Sequence, residues 1–112
     1  MHPERAVVTM PYSERLTTFD DVVHGGAIAT LLDVAAVAAA WSGVTDESAA
    51  AGATVSSSVN YVRAARGNDL TATGRVTRRS KGFCFCETRV TDADGRLVAQ
   101  GIATYKIAGS WI

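Results

Sequence analysis

Between Val23 and Trp41 the chain reads VHGGAIATLLDVAAVAAAW. From Ala27 onward nearly every residue is Ala, Ile, Leu or Val. This pattern predicts a helix of about four turns, entered through a His24-Gly25-Gly26 loop. A helix that is apolar all round has no face for water, so most of its sides must be wrapped by other structure. It is too short and too rich in Ala for a membrane span, which needs roughly 20 strongly apolar residues. Thr30 and Asp33 interrupt it. A carboxylate in a buried helix is costly without a partner, so Asp33 calls for a chemical reason.

The remaining composition narrows what the chain can be. Its 112 residues suit a single domain, 1–112. A core of that size is modest, and association with another copy would support it. Hydrophobic content of 47% and a charge balance of 11 against 11 argue against disorder and against nucleic acid as a partner. The start has no charged-then-apolar leader, so a cytoplasmic location without a membrane is expected. Cys84 and Cys86 alternate on an expected strand, at the outer limit of disulfide reach. The sequence has only His2 and His24 as histidine ligands, too few for a metal site beside them. Buried free thiols in a reducing compartment are the expectation.

Extended segments surround the helix. Ala6 to Met10 predicts a short strand stopped by Pro11, and Ser13 to Asp21 an irregular loop. Ser42 to Gly52 is expected to be a surface loop, with a helical turn at 46–51. Thr54 to Arg63 predicts a strand, and Gly67-Asn68-Asp69 a turn. Leu70 to Arg79 alternates, with Leu70, Ala72, Gly74 and Val76 on one face. Ser80-Lys81-Gly82 joins it to a strand at Phe83 to Thr91, and Asp92 to Gly95 makes a hairpin into Leu97 to Ile107. One helix against an antiparallel sheet is an α+β architecture, and the sheet must curl around the helix.

Three segments carry a resemblance: VHGGAIATLLDVA at 23–35, VNYVRAA at 59–65 and GRLVAQGIATY at 95–105. They resemble the hot-dog fold acyl-CoA thioesterases of the 4-hydroxybenzoyl-CoA thioesterase-like superfamily, in particular the phenylacetate-pathway (PaaI-type) subgroup. The resemblance implies a curved antiparallel sheet wrapped around one long central helix. It also implies homodimers through a continuous sheet, often paired into homotetramers. Acyl-CoA would be hydrolysed to free acid and coenzyme A, with no metal and no cofactor beyond the CoA of the substrate. By the same resemblance Asp33 matches the catalytic carboxylate and Gly25 the glycine whose N–H polarises the thioester carbonyl. His24 matches the histidine beside it, and Thr54 a hydroxyl that helps place water. Thr18 stands where many relatives have Asn, and Ala64 where they have Pro.

Thioester hydrolysis needs a base or nucleophile, a donor for the oxyanion and a place for CoA. Asp33 suits either first role. The alternative is a buried Asp that satisfies loop N–H groups. Gly25 and Gly26 at a helix start offer free N–H groups and the positive end of the dipole, or simply a tight turn. His24 is expected to orient the loop rather than to move protons. Arg63, Arg66, Arg78, Arg79 and Lys81 are candidate phosphate ligands, or a solvated surface. Trp41, Trp111, Phe83 and Phe85 are expected in core or interface. Geometry adds one constraint: over eight residues of helix the Gly25 amide and Asp33 stand roughly 12 Å apart. A working site then needs Asp33 from one chain and the Gly25 amide from another, in a two-fold dimer. Two rivals share the fold: a non-catalytic acyl-CoA-binding domain, and a dehydratase or hydratase. The second normally places its His after the acidic residue, whereas here His24 precedes Asp33.

Overall fold

The computed structural model describes residues 4–44 and 51–108. The expected helical turn falls outside them, except for Ala51, which opens a strand; His2 and Trp111 also lie outside. The elements are β1 (Arg5–Met10), α1 (Gly25–Ser42), β2 (Ala51–Tyr61), β3 (Leu70–Ser80), β4 (Phe83–Thr91) and β5 (Leu97–Ala108). A short 3-10 turn, Glu14–Leu16, stands in the stretch expected to be irregular, capped by Ser13 Oγ on the Arg15 N–H. The strand at Thr54–Arg63 starts and ends earlier than expected. The Val62 and Arg63 N–H groups both turn to the Val98 carbonyl, which peels the chain away from the ladder.

All pairings are antiparallel, in the order β1-β3-β4-β5-β2. Tight turns join β3 to β4 to β5. Lys81 and Gly82 have φ of 51° and 83°, the two left-handed residues that a two-residue hairpin needs. In the next turn Asp92 Oδ1 accepts from the N–H groups of Asp94 and Arg96, at 3.0 Å each. β1 and β2, which flank α1 in sequence, lie at opposite edges, so α1 crosses the inner face and packs against all five strands.

The core lies between α1 and that face. Ile28, Leu31, Leu32, Ala35, Ala36, Ala39 and Ala40 are buried from the helix side. The strands supply Leu70, Ala72, Val76, Cys84, Cys86, Val90, Ala99 and Ala103. The alanines let the helix come close: a Cβ on Gly74 would collide with the Ala35 carbonyl. Both cysteines are buried free thiols, and burial pushes Cys86 up to about 11. By length and composition alone α1, at mean hydropathy 1.5, would suffice to cross a membrane. Its packing on the sheet, not its length, marks it as a core helix.

Within one chain the wrapping is incomplete. Gly26, Thr30 and Val34 are exposed and Asp33 and Val37 half-exposed, which leaves an open stripe along α1. β2 pairs only with β5, and ten of its eleven residues are exposed. Its sequence, AGATVSSSVNY, has none of the charges or prolines that blunt a free sheet edge.

Candidate active site

Backbone hydrogen bonds fix the entry to α1. Val23 N–H donates to the Ala65 carbonyl at 2.8 Å and His24 N–H to Leu16 at 2.6 Å. Arg66 forms an exposed ion pair with Asp21 at 3.3 Å. His24 is thereby the N-cap, with extended φ and ψ of −60° and 134°. Its Nδ1 accepts from the Gly26 N–H at 3.0 Å. The His24 carbonyl takes the N–H groups of Ala27 and Ile28. In the first turn this leaves the Gly25 N–H without an acceptor among the described residues, at the positive end of the helix.

Tyr61 was not singled out by its sequence position, yet its hydroxyl donates to the Gly25 carbonyl at 3.0 Å. A Cβ on Gly25 would meet the Tyr61 ring at 3.6 Å, an ordinary contact, and Gly25 has no positive φ. Nothing inside one chain therefore demands glycine there.

Asp33 stands eight residues further on, on the β2 side of the open stripe. Thr54 Oγ1 donates to Asp33 Oδ1 at 2.7 Å. Among the described residues no backbone N–H reaches this carboxylate, and Oδ2 has no partner. Thr54 sits at a break in the β2–β5 register before Ser56. Since α1 does begin at Gly25, the separation of roughly 12 Å within a chain stands.

The candidate phosphate ligands divide. Arg63 lines a cavity of ≈ 250 Å³ with Gly25, Ile28 and Tyr61, at the helix N-terminus. Arg78 and Lys81 lie on the outer sheet face near the other end, in a cavity of ≈ 440 Å³. Phe83 and Phe85 stack beside them, centroids 6.5 Å apart, so this pair faces outward rather than into the core. Arg79 needs correction as a ligand. A bulge between Val76 and Arg78 turns it to the inner face. There it pairs with Glu4 at 3.2 Å and donates to the Ala40 carbonyl at 2.8 Å and to Cys84 Sγ at 3.1 Å. It ties the end of α1 to β1 and β4. Trp41 is inward as expected, with Nε1 donating to the Tyr105 hydroxyl at 3.1 Å. Thr18 is exposed and closes a turn through its N–H to Val22; no hydrogen bond joins it to Gly25 or Asp33 among the described residues.

The sequence profile of the Thioesterase superfamily matches residues 20–99. Human acyl-coenzyme A thioesterase 13 is 31% identical over 101 residues, spanning 88% of this chain and 70% of that protein. A hypothetical thioesterase protein from Streptococcus pneumoniae, solved with coenzyme A, is 25% identical with a TM-score of 0.85, covering 97% of this chain and 82% of that one. The Escherichia coli PaaI protein, at 23% identity and a TM-score of 0.83, covers 95% and 74% and is a likeness of fold. The chain has the hot-dog fold, belongs to the Thioesterase superfamily and is one of its enzymes.

Proposed function

We propose that this protein is a cytoplasmic acyl-CoA thioesterase whose working unit is a two-fold dimer with two shared sites. One observation carries the reading. Asp33 has one oxygen held by Thr54 and the other open, while the unclaimed Gly25 N–H of the same chain is roughly 12 Å away. The open edge of β2 and the open stripe of α1 support the pairing: a partner's β2 would continue the sheet and bring its helix alongside. The acyl-CoA class is supported by human acyl-coenzyme A thioesterase 13 and by the coenzyme A in the pneumococcal relative.

In the reaction, Oδ2 of Asp33 takes a proton from water as that water attacks the thioester carbon. The oxyanion is met by the Gly25 N–H of the partner subunit. Collapse breaks the C–S bond, the proton passes to the CoA sulfur, and the free acid leaves. Direct attack by Asp33 gives the same products through an anhydride that water opens. Arg63, Arg66, Arg78 and Lys81 are candidate cations for the CoA phosphates.

A panel of acyl-CoAs assayed for thiol release tests this. Wild type should turn over at least one class. Asp33→Asn should keep the fold and lower kcat by about 10²–10⁴. Near-wild-type turnover in purified Asp33→Asn would remove Asp33 from the chemistry.

A further inference from the structure

Thr54 and Tyr61 stand seven residues apart on β2, and an unbroken strand would point them to opposite faces. The register breaks between Thr54 and Ser56, so Val55 has no counterpart on β5 and lies exposed. This extra residue brings the two side chains to the same face. Thr54 is opposite Tyr105 and Tyr61 is opposite Ala99, and both of those residues are buried on the inner face. Residues directly opposite in a ladder share a face, so Thr54 and Tyr61 both look towards α1. One strand thus reaches both groups of the candidate site. Thr54 Oγ1 donates to the Asp33 carboxylate, and the Tyr61 hydroxyl donates to the Gly25 carbonyl at 3.0 Å.

The Gly25 carbonyl shares a peptide unit with the Gly26 N–H, which donates to His24 Nδ1 at 3.0 Å. That unit is therefore held at both ends by side chains. The preceding unit is held through the His24 carbonyl, by the N–H groups of Ala27 and Ile28, and it carries the unclaimed Gly25 N–H. The joint between the two units is a glycine, the residue type with the widest backbone freedom. A donor serves an oxyanion best when its direction is fixed before the charge develops. We infer that Tyr61 is a positioning residue: its hydroxyl fixes the Gly25–Gly26 peptide and, through it, the aim of the Gly25 N–H. The break at Val55 lets β2 do this while Thr54 holds Asp33. The inference rests on the shared-site thioesterase reading above. A misaimed amide weakens contact with the oxyanion rather than with the bound substrate, so the loss belongs in kcat.

Tyr61→Phe keeps the ring and removes the hydroxyl. Assayed as a purified full chain on an acyl-CoA that wild type hydrolyses, it should lower kcat by about 10–10²-fold with KM and Tm little changed. Mixed dimers add a readout that a purely structural role would not move. Paired with an Asp33→Asn chain, a Tyr61→Phe chain gives its intact Asp33 to the site that draws Gly25 and Tyr61 from the other chain. That site is whole, so each mixed dimer should reach about half of wild type. Wild-type kcat in Tyr61→Phe, or a loss confined to KM, would overturn the inference and leave the thioesterase reading intact. The pair Asp33→Asn and Gly25→Pro serves as the control. If that pair recovers activity and the pair with Tyr61→Phe does not, Tyr61 serves its own chain's Asp33 and the inference alone is wrong. If neither pair recovers, the shared site falls and the inference falls with it. No hydrolysis of any acyl-CoA by wild type would overturn both.

Discussion

Thr54 meets Asp33 across the gap between β2 and α1, and its hydroxyl fixes which carboxylate oxygen stays open. A hydrogen bond to a charged group is worth about 1.5–3 kcal/mol, and this one is solvent-accessible, so the lower end applies. Thr54→Val keeps the shape and removes the donor. It should lower kcat by about tenfold with KM little changed, and Thr54→Ser should restore it. An equal loss in Thr54→Ser would assign Thr54 a packing role instead. At this scale the sequence was uneven. Asp33 and Gly25 were legible because a carboxylate and paired glycines are conspicuous in an apolar helix. The capping bond of His24 and the hydroxyl of Tyr61 on the Gly25 carbonyl were not, since each depends on where a loop or a strand end returns.

At the scale of elements, period and turn chemistry located five strands and the helix within a few residues. Three register breaks escaped them, because such a break is a mismatch between partners and no single strand encodes it. The one between Val76 and Arg78 reverses the face of Arg79, which is why a candidate ligand became a clamp. Helix and sheet meet most closely at Gly74, where a Cβ would strike backbone. Gly74→Ala should cost about 1–3 kcal/mol, lowering Tm by roughly 4–8 °C per kcal/mol; an unchanged Tm would mean that the helix is not seated as described. The β4–β5 turn makes a pH prediction. The Arg96 N–H, followed by the Asp94 N–H and the Arg96 guanidinium, holds the Asp92 carboxyl below its usual range. The folded value is lower than the unfolded one, about 3.9, so its contribution is complete above that value. It is lost as pH falls through the lowered folded value. Urea midpoints between pH 2 and 6 should fall less steeply for Asp92→Asn than for wild type, and parallel slopes would contradict this.

At the scale of the molecule, α1 keeps an open stripe, β2 keeps a free edge, and nothing within one chain explains a glycine at 25. The proposed dimer and its substrate would account for all three. Two variants separate the halves of the site. Asp33→Asn removes the carboxylate and keeps the amide. Gly25→Pro removes the amide at the first helical position, where proline is well tolerated, and the extended His24 before it suits a following proline. Each homodimer should be inactive. In a mixed dimer one shared site carries both defects and the other neither, so reassociating the two folded variants should restore activity toward half of wild type per mixed dimer. If mass spectrometry shows mixed dimers and activity does not return, Asp33 and Gly25 of one chain serve the same site, and the shared-site account is wrong.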